Sequence, residues 1–113
     1  MSLPNGLNGQ SGISTVAKEE RKKEMTEIEI ITAAIRAFGE HHQECLAIEE
    51  CSELIQAINH KHRGRKNNIS EEIADVEIML EQLKIINDCR DEVKKIRKQK
   101  LDRLFICVYD MCL

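Results

Sequence analysis

Residues 47–83 read AIEECSELIQAINHKHRGRKNNISEEIADVEIMLEQL, and the rest of the chain is read outward from them. Two acid pairs stand in this stretch, Glu50 with Glu53 and Glu72 with Asp75. Residues three apart on an α-helix lie roughly 60° apart around its axis, one turn on, so each pair shares a helix face. Apolar residues recur around both pairs at helical spacing. Leu46, Cys51, Leu54, Ile55 and Ile58 form a stripe on one helix, and Ile73, Val76, Leu80 and Leu83, with Met79 and Ile86 beside them, form one on the next. The basic, glycine-containing segment HKHRGRKNN over 60–68 is a loop between them. Ser70 is placed to cap the second of these helices, with Glu71 and Glu72 in its first turn, where the helix dipole favours negative charge. Two helices joined by so short a connection pack as an antiparallel hairpin, and both acid pairs then face one cleft.

Upstream, Thr26 and Glu29 fit a capping box. Ile28, Ile31, Ile35 and Phe38 follow at helical spacing, and Gly39 is a natural stop, so a helix is expected over 26–38 and the acid-bearing one over 41–62. Downstream, 87–90 reads as a turn and 91–105 as a further helix with Val93, Ile96, Leu101 and Leu104 as its apolar positions. The final FICVYDMCL over 105–113 is unusually apolar for a terminus and suits docking on the body, extension of the last helix, or contact with another subunit. Residues 1–24 have no apolar face. They are expected to be a disordered leader rich in Gly, Asn and Ser, ending in the charge run KEERKKE as a frayed helical lead-in. The fold class expected is all-α, a four-helix-bundle type over 25–113.

Composition narrows the function classes. The chain has 113 residues, 33% charged and 3% aromatic, which favours helices and limits the core that one chain buries. Sharing a core between subunits would relieve that limit. The net charge of −3, with both signs interspersed, gives no cationic field for duplex nucleic acid. No apolar run reaches the roughly 18 residues of a membrane span. Five cysteines without a Cys-x-x-Cys read as reduced thiols, and the expected location is cytoplasmic. No phosphate-binding loop, nucleophile elbow or dinucleotide fingerprint is present.

The carboxylates carry the chemistry. Four converging acids repel one another unless a cation joins them. Oxygen-only ligands suit a hard ion, so magnesium is expected, with manganese as a substitute. A di-iron carboxylate bundle would need Glu-x-x-His, and the residues three before His41, His42, His60 and His62 are Phe38, Gly39, Ala57 and Asn59. A competing reading comes from a different class. Glu-x-x-Glu on a helix is commonly a solvated face, and the chain would then be a non-catalytic helical interaction or regulatory module.

The segment 47–83 resembles the MazG-type all-α nucleotide pyrophosphohydrolases, whose hallmark is E-E-x-x-E, a spacer, then E-x-x-D. Glu49-Glu50-x-x-Glu53 and Glu72-x-x-Asp75 fill that pattern, and the likeness extends weakly to Phe38-Gly39 and to the run KLDRL over 100–104. The short form is similar to the phage-type or stand-alone members. The resemblance implies magnesium-dependent hydrolysis of a nucleoside triphosphate to the monophosphate and pyrophosphate, a reaction suited to nucleotide-pool house-cleaning. Glu50, Glu53, Glu72 and Asp75 would hold metal, and Glu49 would orient the attacking water. Lys100 and Arg103, three apart on the last helix, are the preferred phosphate contacts, ahead of Lys61, Arg63, Arg65 and Lys66 in the loop. Gln43, two turns before Glu50, is a candidate base or sugar contact. The resemblance also implies a homo-oligomer, a dimer or tetramer, and carries no base or sugar preference.

Overall fold

A computed structural model describes residues 15–110, and among them there are five helices and no strand. They are α1 (Thr15–Glu24), α2 (Glu27–Phe38), α3 (Glu40–His62), α4 (Ile69–Ile86) and α5 (Arg90–Tyr109). The leader expected over 1–24 is therefore helical from Thr15, and its first fourteen residues lie outside the described ones. The apolar end extends the last helix as far as Tyr109, with 111–113 likewise outside.

The helix ends follow local chemistry. Thr26 and Glu29 form the reciprocal capping box: Glu29 N–H donates to Thr26 Oγ1 at 3.2 Å, and Thr26 N–H donates to Glu29 Oε2 at 2.9 Å. Gly39 separates α2 from α3 at φ +91, a conformation side-chain-bearing residues rarely adopt, while its N–H closes α2 on Ile35 O at 2.8 Å. At the end of α3 the Arg65 N–H reaches His60 O at 2.8 Å and the Gly64 N–H reaches Lys61 O at 3.0 Å, with Gly64 at φ +68. This is the Schellman arrangement, and it fixes the start of the loop. Asp88 takes the same left-handed position, at φ 47, after α4. Ser70 does not cap α4. The helix begins one residue earlier, and the Ile69 N–H donates to Asn67 Oδ1 at 3.3 Å, so asparagine chemistry in the loop supplies the start.

The described residues fall into two compact units, one ending at Leu83 and the other beginning at Lys84. In the first, α3 and α4 run antiparallel. Gln43 near the start of α3 pairs with Gln82 near the end of α4, while Ala57 and His60 near the end of α3 share a cavity wall with Asn68 and Glu72 at the start of α4. The second unit carries α5. Within α5 only Val93 is half-buried, and the Phe105 and Tyr109 rings meet at a tilt of 40°, centroids 4.8 Å apart.

What the first unit buries differs from the apolar stripes of the sequence. Its inner face holds Gln43, Leu46, Ala47, Glu50 and Ala57 from α3, and Glu72, Asp75, Met79 and Gln82 from α4. Leu46, Ala47 and Met79 make the apolar cluster, flanked by Ile78 and Leu83. Ile55, Ile58, Ile73 and Leu80, expected inside, are exposed. The two helices turn their acids and amides toward each other and leave isoleucines outside. On α3 the exposed residues Ile48, Cys51, Ile55 and Ile58 follow one another at spacings of three and four. On α4 the half-buried or exposed Ile69, Ile73, Val76, Leu80 and Leu83 do the same, which is the spacing of a coiled-coil seam.

Candidate metal centre

Glu50, Glu53 and Glu72 each offer one carboxylate oxygen, and the three oxygens lie within 4.8 Å of one another. Glu50 is 0% exposed and Glu72 2%, whereas Glu53 is half-buried at the edge. Asp75, 3% exposed, lies one turn further along α4, outside that set of three. Glu50 lies close enough to its carboxyl to help raise it. Three of the four acids assigned to metal on sequence grounds thus form one group at the hairpin interface, and Asp75 is buried beside it. Glu49 is not in the group: it is exposed, one helical step from Glu50.

The donor inventory of this group does not close. Asn68 Nδ2 donates to Glu72 Oε1 at 2.7 Å. Both oxygens of Glu50, Oε2 of Glu72 and Oδ2 of Asp75 are buried with no hydrogen-bond donor. Ionised carboxylates are acceptors only, so bringing them together satisfies none of them. A buried acceptor without a partner costs about 1–3 kcal/mol, more when charged. Burial pushes the Asp75 carboxyl up to about 6, helped by Glu50 and then Glu72. Burial raises Glu72 as well, with Glu53 next to it the second cause and the Asn68 amide working the other way. Hard oxygens, negative charge and orphaned lone pairs are what a divalent cation such as magnesium satisfies, so the residues fit that ion.

Beside the acids lies a cavity of about 240 Å³, lined by Glu53, Gln56, Ala57, His60, Asn68 and Glu72. Its lining runs from Glu53 and Glu72 of the acid cluster to His60 and Asn68 beside the loop. Of this lining, Asn68 was not singled out from the sequence. Asn68 sits four residues before Glu72, a helical spacing visible in hindsight, and His60 lies seven residues after Glu53, two turns along the same face.

The other assignments fare differently. Gln43, expected to reach substrate, is 1% exposed and engaged inside the hairpin. Its Nε2 donates to Gln82 Oε1 at 2.8 Å, and its Oε1 accepts from His42 Nδ1 at 2.8 Å. Lys100 and Arg103 are exposed on α5, in the second unit. Compared with protein-family models, curated proteins and solved structures, the chain matches none significantly.

Proposed function

We infer that this chain is a magnesium-dependent nucleoside triphosphate pyrophosphohydrolase. The observation that carries the reading is the buried set of carboxylate oxygens without donors, supplied by Glu50, Glu72 and Asp75 and joined by Glu53 at the edge. A protein gains nothing in stability by burying such a group unless a cation completes it. The motif resemblance of 47–83 to MazG-type enzymes supplies the reaction.

In this reading Glu50, Glu53, Glu72 and Asp75 hold magnesium, or manganese in its place. When bound, the ion neutralises the phosphate oxygens on which charge builds during displacement. Asn68 holds Glu72 through its amide and leaves the second oxygen of that acid free to ligate. The Glu53 edge gives the triphosphate its way in, because the other acids are sealed between the helices. Water attacks the α-phosphorus and releases its proton to solvent, the bond from that phosphorus to the bridging oxygen breaks, and pyrophosphate leaves with the electron pair. Glu49, solvent-accessible beside the cluster, orients that water. Lys100 and Arg103 are exposed in the second unit and make no ion pair among the described residues. The working protein is a homo-oligomer. The exposed seams on α3 and α4 have the spacing to pair with their counterparts in a second copy, and the three-residue apolar cluster is thin for one chain to rely on.

The test is pyrophosphate release from a panel of standard and damaged nucleoside triphosphates, with and without magnesium, alongside melting curves under both conditions. The reading expects metal-dependent release from at least one triphosphate and a rise in melting temperature with metal. A helical interaction module with surface acids would show neither.

A further inference from the structure

We propose that Asn68 selects the ion: it confines Glu72 to one ligating oxygen and so tunes the acid group to magnesium or manganese over calcium. Asn68 is the residue before α4 and is tied to Glu72 twice. The Glu72 N–H donates to Asn68 O at 3.1 Å, and Asn68 Nδ2 donates to Glu72 Oε1 at 2.7 Å. The amide presents its nitrogen to the acid, because a carboxylate only accepts. A bond of that length to an ionised acid is of the strong, charge-assisted kind. The two oxygens of Glu72 are thereby made unequal. Oε1 is held, while Oε2 is buried without a donor. To chelate an ion through both oxygens, Glu72 would have to turn Oε1 off the amide or divide its lone pairs between the amide and the ion.

That inequality discriminates between hard cations. Magnesium demands near-octahedral geometry at roughly 2.0–2.1 Å and keeps several waters, so a carboxylate pinned to one oxygen suits it. Calcium accepts about six to eight oxygens at roughly 2.3–2.6 Å and takes both oxygens of a carboxylate readily. The cavity of about 240 Å³ that Glu53, Glu72 and Asn68 line has room for the waters magnesium keeps, each of which occupies roughly 30 Å³ in the liquid. The neighbouring asparagine has a different role. Asn67 Oδ1 accepts the Ile69 N–H at 3.3 Å and serves the start of the helix. Two adjacent asparagines thus divide the work, one capping α4 and the other holding a ligand. The proposal rests on the metal reading of the acid group, and it is independent of the reaction that the metal serves.

The experiment is titration of the full chain with manganese, read by the paramagnetic resonance signal of the free ion, with magnesium and calcium as competitors. Parent, Asn68→Ala and Asn67→Ala are compared. The parent is expected to prefer magnesium to calcium. Removing the Asn68 amide should weaken magnesium and manganese roughly 10–100-fold, the range for groups that orient a metal's ligands. Calcium should stay within about threefold, because a freed Glu72 can chelate the larger ion. The ratio of the two affinities is decisive, since a general loss of structure lowers both alike. Asn67→Ala should lower the melting temperature, as loss of a cap does, and leave the ratio within about twofold. Should Asn68→Ala fail to fold, Asn68→Leu, which keeps the bulk and lacks the donor, gives the same comparison. An unchanged ratio in either folded variant overturns the proposal, as does an equal shift in Asn67→Ala or a parent without preference for magnesium. A parent that binds no divalent ion overturns it together with the metal reading. The activity fails separately. A parent whose ratio moves as expected but which cleaves no triphosphate keeps Asn68 as the selecting residue and removes the hydrolysis. One that cleaves triphosphates with magnesium while Asn68→Ala keeps the parent's ratio does the reverse.

Discussion

Gln43 and Gln82 are joined by a hydrogen bond of 2.8 Å in the buried interior of the α3–α4 hairpin, 1% and 2% exposed. The pair sets the register of the acids. Seven residues along α3 from Gln43 stands Glu50, and seven back along α4 from Gln82 stands Asp75; three further on each helix stand Glu53 and Glu72. An antiparallel hairpin pinned at the amides therefore sets Glu50 across from Asp75 and Glu53 across from Glu72. A shift of one turn on either helix would separate both pairs.

Gln82→Ala removes one partner and leaves the buried Gln43 amide without its acceptor. The expected cost is about 1–3 kcal/mol of stability, the penalty for an unsatisfied buried polar group. Chemical denaturation measures it. Replacing both amides with Leu should cost less than Gln82→Ala alone, because neither polar group is then left stranded. If the double change costs the sum of the two single ones, the amides are not a coupled pair.

The acids should oppose stability and serve the site at once. Glu50→Gln, Glu53→Gln and Asp75→Asn keep shape and remove charge. Glu50→Gln and Asp75→Asn remove charge that is fully buried, and without metal each is expected to raise stability by roughly 1 kcal/mol or more, because repulsion and desolvation are relieved. Activity with magnesium should fall more than the roughly 10–100-fold seen when groups outside a metal's own ligands are changed. Glu77→Gln, an exposed acid on α4, is the control and should change neither. Metal-free melting curves and pyrophosphate release read the two effects separately. Full activity in Asp75→Asn would remove that residue from the site.

Asp75 also fixes the direction of a pH effect. Its carboxyl is raised from 3.8 to about 6 in the folded chain, by burial first and Glu50 second. Between those values the folded form holds a proton that the unfolded form has lost, so this group's contribution to stability falls as pH rises from about 4 to about 6 and is level above. Magnesium needs the ionised acid, so stabilisation by the metal should grow over the same range. Melting temperatures of the parent minus those of Asp75→Asn, at pH 5.0 and 7.5 with and without magnesium, isolate the group. Without metal the difference should become less favourable to the parent at the higher pH. The opposite trend would contradict the assignment.

Helix boundaries and the grouping of the four acids were legible in the sequence because both depend on local spacing. Thr26, Glu29 and Gly39 announce their helix ends through chemistry within four residues. Glu50 with Glu53 and Glu72 with Asp75 need only helical periodicity and a short loop. The buried face was not legible. Apolar spacing pointed to Ile55, Ile58, Ile73 and Leu80, while the hairpin buries Gln43, Glu50, Glu72 and Gln82. Hydropathy ranks an isoleucine inside and a glutamate outside, and this hairpin does the reverse at these positions. Gln43 shows the same limit: alone it reads as a ligand contact, and only Gln82, 39 residues away, turns it inward.

That exposed stripe makes the assembly testable. Ile48 is 69% exposed, Ile55 60% and Leu80 46%, at coiled-coil spacing with their neighbours. Burying one such side chain is worth about 1.5–3 kcal/mol, so several meeting across two copies outweigh much of the entropy lost on association. Light scattering of the parent at micromolar concentration is expected to give a dimer or tetramer. Ile55→Lys and Leu80→Lys place a charge in the seam without touching the inner face of the hairpin. Each should weaken association by at least about a hundredfold, equivalent to about 2.8 kcal/mol. The helical content of each variant, read by circular dichroism at the same concentration, separates lost assembly from lost fold. A parent that is monomeric at that concentration would mean these isoleucines face water, and the shared core would be withdrawn whatever became of the metal centre.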